Sequence, residues 1–353
     1  MGNYINRRLT KKIKIGDRHI GGGGPVLIQS MTCTDTRDVR ATVEQIKKLE
    51  EAGCDIVRVA VPDSEAAGVL KQIKKEIRIP LVADIHFDYR LALKSMENGA
   101  DKVRINPGNI GGREKVRAVA KMASELKVPI RIGVNSGSLE KRLLEKHGGV
   151  TPEGMVESAL EQAQALEDEG FDIIVFSLKA SSVPLTIAAY RMLSGKTEYP
   201  LHVGVTEAGT MFRGTIKSSV GIGCLLAEGI GDTVRVSLTC DPVEEVKVGK
   251  EILKSLELIK GGVELISCPT CGRCGIDLVD LANRLEKMLR TVDKDIKVAV
   301  MGCEVNGPGE AREADIGIAG GKGEALIFKK GRIIKKVSKE IIIDELLREI
   351  ESL

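Results

Sequence analysis

From Pro25 onward, one pattern of apolar and polar positions recurs along the chain. A short run rich in Val, Ile and Leu gives way to a longer stretch where apolar residues return every three or four positions. The first kind of run reads as a buried strand and the second as an amphipathic helix. Strands are predicted over 26–30, 56–61, 81–86, 102–106, 130–134, 173–178, 201–205 and 233–238. Helices follow over 39–52, 64–76, 89–98, 114–126, 152–169, 183–193, 216–228 and 243–255. Gly53, Gly99, Gly170 and Gly229 stand where helices should end, as left-handed caps. Eight alternating units imply a parallel sheet closed into a TIM (β/α)8 barrel. Ahead of it, 12–24 reads as a small hairpin plugging the barrel bottom, with glycines 21–24 as a flexible connection.

Gly261-Gly262 marks a boundary, giving a barrel over 1–260 and a second domain over 261–353. Beyond it the pattern predicts a strand (264–267), a helix (278–289), four short strands (297–300, 315–319, 324–328, 332–337) and a closing helix from Lys339. That is a small α/β domain. The formal charge of +3, with 3% aromatics and no Trp, argues against a nucleic-acid partner or a membrane surface. The first dozen residues are polar and basic, and no apolar run is long enough to span a bilayer, so the expected location is cytoplasmic.

Four strands hold an arginine between two β-branched residues: Val57-Arg58-Val59, Val103-Arg104-Ile105, Ile130-Arg131-Ile132 and Val234-Arg235-Val236. If the apolar neighbours pack outward, alternation turns each arginine into the barrel. Lys179 adds a positive charge at the same end, and the acids expected to face it are mainly Asp84 and Glu207. A positive excess in matching register favours an anionic ligand over internal pairing alone. His86, Asn106, Asn135, Ser177 and Ser237 also sit at strand C-termini, where barrel enzymes carry their chemistry. Glu207, placed at the end of the seventh strand, suits either proton transfer or the orienting of a cation. His202, at a strand start, reads as structural.

The cysteines are uneven. Cys268, Cys271 and Cys274 form two overlapping CxxC turns, and Cys303 follows in a Gly- and Pro-rich loop. Thiolates on tight loops suit zinc or an iron–sulfur cluster, and spacing alone leaves both open. A basic barrel mouth favours the redox alternative.

The run Ser267-Cys268-Pro269-Thr270-Cys271-Gly272-Arg273, with Gly302-Cys303 and Asn306-Gly307-Pro308-Gly309-Glu310, closely resembles the bacterial 4-hydroxy-3-methylbut-2-enyl diphosphate synthases. The barrel agrees at Ala83-Asp84-Ile85-His86, Arg104-Ile105-Asn106-Pro107-Gly108-Asn109, Arg131-Ile132-Gly133-Val134-Asn135 and Val205-Thr206-Glu207-Ala208-Gly209. The resemblance covers nearly the whole chain. It implies a two-electron reductive ring opening and dehydroxylation of 2-C-methyl-D-erythritol 2,4-cyclodiphosphate in isoprenoid biosynthesis, with electrons from flavodoxin or ferredoxin. It implies one 4Fe-4S cluster per chain, held by Cys268, Cys271, Cys303 and Glu310, although Cys274 offers a further thiolate. It implies substrate contacts at Arg58, His86, Arg104, Asn106, Arg131, Asn135, Lys179, Arg235, Ser237 and Asn306, with Glu207 as the proton donor.

A homodimer is expected as well. The last barrel helix emerges at the bottom, and the connection over 256–262 reaches at most about 25 Å. A return to its own mouth would need on the order of 30–40 Å. A head-to-tail pair, each cluster domain capping the partner's barrel, resolves this. The competing readings are a pterin-binding synthase, which leaves the cysteines idle, and a non-enzymatic iron–sulfur or zinc sensor.

Overall fold

The computed structural model describes residues 4–106, 110–290, 292, 294–303, 311–321 and 323–353. The chain divides into two compact units, Met1–Ile259 and Lys260–Leu353.

The first unit opens with an antiparallel hairpin of β1 (Ile13–Ile15) and β2 (Arg18–Ile20). Eight parallel strands follow among the described residues: β3 (Leu27–Met31), β4 (Ile56–Ala60), β5 (Leu81–Asp84), β6 (Lys102–Ile105), β7 (Ile130–Asn135), β8 (Ile174–Lys179), β9 (His202–Val203) and β10 (Thr233–Val234). They pair in chain order from β3 to β8, while β10 lies between β3 and β9. A parallel bridge between Phe176 and Leu201 joins the two remaining edges, so the sheet closes into a TIM barrel. The hairpin closes its bottom, where Ile15 and Ile20 pack with Leu27, Ile56 and Val82.

Several helices begin at the C-terminal ends of these strands because an aspartate stops the extended backbone there. Asp38, Asp63 and Asp88 accept from the backbone N–H of Ala41, Ala66 and Arg90, opening helices Val39–Ala52, Ser64–Glu76 and Tyr89–Glu97. Each such cap stabilises by about 1 kcal/mol. The outward strand residues, such as Val57, Val59, Val103 and Ile132, are fully buried beneath the helices. Burial of each contributes roughly 1.5–3 kcal/mol.

The last two barrel strands are shorter than the expected 201–205 and 233–238. Past Val203, where the Arg235 N–H still donates to the Val203 carbonyl at 2.9 Å, Gly204 lies close against Arg235: a Cβ there would come 2.5 Å from the Arg235 carbonyl oxygen. The helix expected from 216 begins earlier, at Met211–Ala227. Its glycines dilute the apolar period, and Gly214 sits where a Cβ would meet Leu238 at 2.5 Å. A 3-10 turn (Ser136–Ser138) and a short helix (Lys141–His147) after β7 were not expected from the pattern.

Among the described residues the second unit is a five-stranded sheet in the order β11 (Val263–Ser267), β12 (Ile296–Met301), β13 (Ile316–Gly320), β14 (Glu324–Lys329), β15 (Arg332–Ser338). The first three strands are parallel and the last two join antiparallel. Helices Leu278–Leu289 and Ile342–Glu351 bury Leu281, Leu285, Ile343 and Leu346 in one core with Val298, Ile316 and Ile327.

Candidate active site

Along β4, Val57 and Val59 face the helices, so Arg58 between them turns into the barrel and is only 2% exposed. The same alternation buries Arg104 on β6 and Arg131 on β7. Arg235 lies just past β10, less deeply covered. Parallel register sets Arg104 directly beside Asp84 on one side and Arg131 on the other.

Asp84 is the hub. Its Oδ1 lies 3.4 Å from Arg104 Nη1, and its Oδ2 lies 3.6 Å from both Arg58 Nε and His86 Nε2. Burial would raise its pKa, but Arg58, His86 and Arg104 together hold the carboxyl well below the usual range. Arg104 also donates from Nη2 to the Gly133 carbonyl at 3.2 Å and to Asn135 Oδ1 at 3.4 Å. Arg235 Nη2 stands 3.5 Å from Glu245 Oε2, which accepts from Ser30 Oγ at 3.2 Å. The other Glu245 oxygen accepts from the Leu238 backbone N–H at 2.9 Å.

Arg131 differs from these. It is fully buried, and none of its three guanidinium nitrogens has a hydrogen-bond partner among the described residues. Arg58 Nη1, Arg104 Nε and Arg235 Nε are likewise unpartnered among the described residues. An uncompensated buried charge costs several kcal/mol, so such groups call for a partner that the free chain does not supply. Burial, followed by the fields of Arg58 and Arg104, pulls Arg131 well below its ordinary value. Lys179 ends β8 opposite Asn135, half-buried, and the same burial and neighbours bring it down to about 5. An anion placed among these groups would relieve every one of these shifts.

Lys102 and Glu245 complete the ring, and the sequence analysis did not single them out. Lys102 lies two residues before Arg104 and so faces the same way; it is fully buried and its Nζ has no partner among the described residues. The period-two rule could have found it. Glu245 comes from helix Pro242–Ser255, and no strand pattern points to it. Glu245, rather than Glu207, is therefore the second carboxylate in contact with the arginines. Glu207 instead lies beyond β9 on an exposed turn, with its backbone in the left-handed region at φ +52°. His86 is exposed at the mouth and Asn106 is buried beside the ring's strand end. Ser237 is half-buried past β10. His202 is buried inside, its Nδ1 2.8 Å from Thr233 Oγ1.

In the second unit, β11 and β12 are paired and parallel, so Cys268 and Cys303 follow their C-terminal ends at one edge of the sheet. The Gly302 N–H donates to the Cys268 sulfur at 3.3 Å, and Gly275 N–H donates to the Gly302 carbonyl at 2.8 Å. These bonds tie the CxxC loop to the loop of Cys303. Both Cys268 and Cys274 pack against the apolar core, but the Cys274 thiol also donates to the Ile276 carbonyl at 3.2 Å. Among the described residues no three His, Cys, Asp or Glu side chains lie close enough to hold a metal ion. Asn306 and Glu310 lie outside the described residues. The donor set suits an iron–sulfur cluster, since thiols from two tied loops are available and one sulfur already accepts a backbone N–H.

Two family descriptions cover this chain. The GcpE TIM-barrel domain matches residues 10–250, and the GcpE protein C-terminal domain matches residues 264–352. The chain belongs to the GcpE family. Its relatives include the 4-hydroxy-3-methylbut-2-en-1-yl diphosphate synthase (flavodoxin) of Ruminiclostridium cellulolyticum, 66% identical over 100% of both chains. The enzyme of the same name from Caldanaerobacter subterraneus subsp. tengcongensis is 64% identical over 98% of each. Among solved structures, a dihydropteroate synthase from Stenotrophomonas maltophilia is 15% identical at a TM-score of 0.49, covering 66% of this chain and 93% of that one. The GcpE match spans both units, so the arginine ring and the cysteine loops belong to one family architecture.

Proposed function

We propose that the barrel ring binds the diphosphate of 2-C-methyl-D-erythritol 2,4-cyclodiphosphate and that the second unit carries one 4Fe-4S cluster per chain. The reaction is that of the 4-hydroxy-3-methylbut-2-en-1-yl diphosphate synthases: reductive ring opening and dehydroxylation by two electrons, within isoprenoid biosynthesis. The chain is an oxidoreductase of that kind. The observation that carries the site assignment is Arg131, whose buried guanidinium has no hydrogen-bond partner among the described residues and sits in a cluster of cations.

In this reading Arg58, Arg104, Arg131, Arg235 and Lys179 receive the phosphate oxygens, with Asp84 and Glu245 fixing the guanidinium planes. Bidentate contacts of this sort set position as well as affinity. Ser237, Asn106, Asn135, His86 and Asn306 contact the rest of the substrate. Glu207 supplies the proton for the departing hydroxyl, and its left-handed backbone is the kind of strain that functional positions retain. Cys268, Cys271, Cys303 and Glu310 would hold the cluster; single-electron transfer is the chemistry such a cluster supplies when bound. The electron donor is flavodoxin or ferredoxin, the location cytoplasmic, and the assembly a homodimer with active sites shared between subunits. No helix of the described residues is long and apolar enough to cross a membrane.

The test is anaerobic purification followed by assay. Brown protein containing iron and sulfide, whose spectrum responds to the cyclodiphosphate and which converts it with reduced flavodoxin, is the expected result. Colourless zinc protein would overturn the cluster assignment. The shared site is tested by mixing Cys271→Ser and Glu207→Gln variants. Partial activity in the mixture, absent from either parent, is expected, and no recovery despite demonstrated subunit exchange would remove the shared site.

A further inference from the structure

The inward side chains of the barrel can be sorted by height. A TIM-barrel interior is filled in layers, each built by side chains from alternate strands. Because the strands tilt, each register partner, taken in chain order, lies lower along the barrel axis. Arg131, paired with Arg104, therefore stands a layer beneath it. Carried around the sheet, the register puts Arg58, Arg104 and Arg235 in one layer. Gln29, Arg131 and His202 share the next layer down, and Lys102 and Thr233 the one below that.

The floor beneath the arginine layer is polar and closed off. Gln29, Lys102 and Arg131 are each at most 1% exposed. His202 Nδ1 and Thr233 Oγ1 satisfy one another at 2.8 Å. The other polar groups are open: Gln29 Nε2 and Oε1, Lys102 Nζ and all three Arg131 nitrogens have no partner among the described residues. The charged groups that act most on Lys102 are Arg131 and Arg58, both of its own sign. Asp84 stands higher, engaged by Arg58 and Arg104. Below, Leu27 packs with Ile15 and Ile20 of the hairpin and seals the barrel bottom.

The hydrogen-bond inventory of this floor selects a ligand. Gln29 Nε2, Lys102 Nζ and the Arg131 nitrogens are all donors, and Gln29 Oε1 is the one acceptor among the open atoms. Water would bring further hydrogens into a place short of acceptors, and it would leave the charge uncompensated. An anion accepts without donating and opposes both cations. The interior is close-packed, so the anion that fits is monatomic. We propose that a single halide ion, chloride in ordinary solution, binds inside the barrel beneath the arginine layer, held by Lys102, Arg131 and Gln29 Nε2. It enters from the mouth, since the bottom is sealed. The Arg131 fork presents N–H groups along more than one edge, so it serves this ion below and a phosphate above. The site does not depend on which anion fills the layer above it.

The ion is located with bromide. Cluster-loaded protein is crystallised anaerobically in bromide, with cyclodiphosphate added to fill the arginine layer, and diffraction is recorded at the bromine absorption edge. One anomalous peak should lie in contact with Lys102 Nζ and Arg131. Lys102→Met should lose it. Gln29→Glu keeps the side-chain shape and supplies its own carboxylate, so it should fold and also exclude the bromide. In solution, replacing gluconate by chloride at constant ionic strength should raise the unfolding temperature of the parent, and raise that of Gln29→Glu by less. Water or a phosphate oxygen on Lys102 Nζ in place of bromide would overturn the proposal. So would a peak that survives in Gln29→Glu. An equal chloride response in parent and variant would mark an ion bound at crystal concentration alone, and would overturn it too.

Discussion

The guanidinium of Arg104 lies flat against Gly133, whose carbonyl accepts from Nη2 at 3.2 Å. A Cβ at position 133 would stand 2.5 Å from Arg104 Nε and 2.8 Å from Nη2, so the arginine occupies the space a side chain would need. Gly133→Ala should therefore move Arg104 rather than the strand. Overpacking of this kind costs about 1–3 kcal/mol, and phosphate binding should weaken with it. Thermal unfolding and calorimetry with the cyclodiphosphate check both; unchanged affinity would mean Arg104 does not contact the ligand.

Arg131 separates a structural role from a ligand-binding one. Because its buried nitrogens have no partner among the described residues, Arg131→Met removes an uncompensated charge. The variant should be as stable as the parent, or more so, yet lose about 1.5–3 kcal/mol of substrate binding. Denaturation and binding measured on the same preparation decide it. A large loss of stability with normal binding would return Arg131 to the scaffold.

Asp84 carries a pH signature. Burial alone would raise its pKa, but Arg58, His86 and Arg104 hold the folded-state carboxyl below its ordinary value. A depressed carboxyl stabilises fully above the unfolded value near 3.9, and that contribution is lost as pH falls through the folded value. Asp84→Asn should cost about 3–5 kcal/mol at neutral pH. Urea unfolding of both proteins should show a constant gap from pH 8 to about 4, closing only in stronger acid. A gap that closes near pH 6 would contradict the assignment.

The cysteines should divide into two groups. Cys268→Ser, Cys271→Ser and Cys303→Ser should each abolish iron binding, while Cys274→Ser should keep it, since that thiol is already engaged with the Ile276 carbonyl. Iron and sulfide content after anaerobic reconstitution gives the answer. Iron lost from Cys274→Ser and retained in Glu310→Gln would exchange the fourth ligand.

Much of this protein follows from local rules. A strand's alternation shows which residues turn inward, so Arg58, Arg104 and Arg131 could be assigned to the barrel interior from their β-branched neighbours alone. Glycine caps separated helices from strands, and Gly53, Gly99, Gly170 and Gly229 all take positive φ. Overlapping CxxC turns exposed the cysteine loops, because close thiols need only short-range spacing.

Contacts between distant segments were decided only in three dimensions. Glu245, from a helix ten residues beyond Arg235, became the second acid of the ring, and no local period links the two. Gly133 makes room for a side chain from the neighbouring strand, which its own surroundings in the chain do not disclose. Strands β9 and β10 are two residues each, and Gly204 just past β9 leaves room for the Arg235 backbone, a close approach between segments far apart in the chain. Period and capping are properties of a few adjacent residues and can be read directly from sequence. Charge pairing and close approach depend on which segments meet across the barrel, and that follows from the register and closure of the whole sheet.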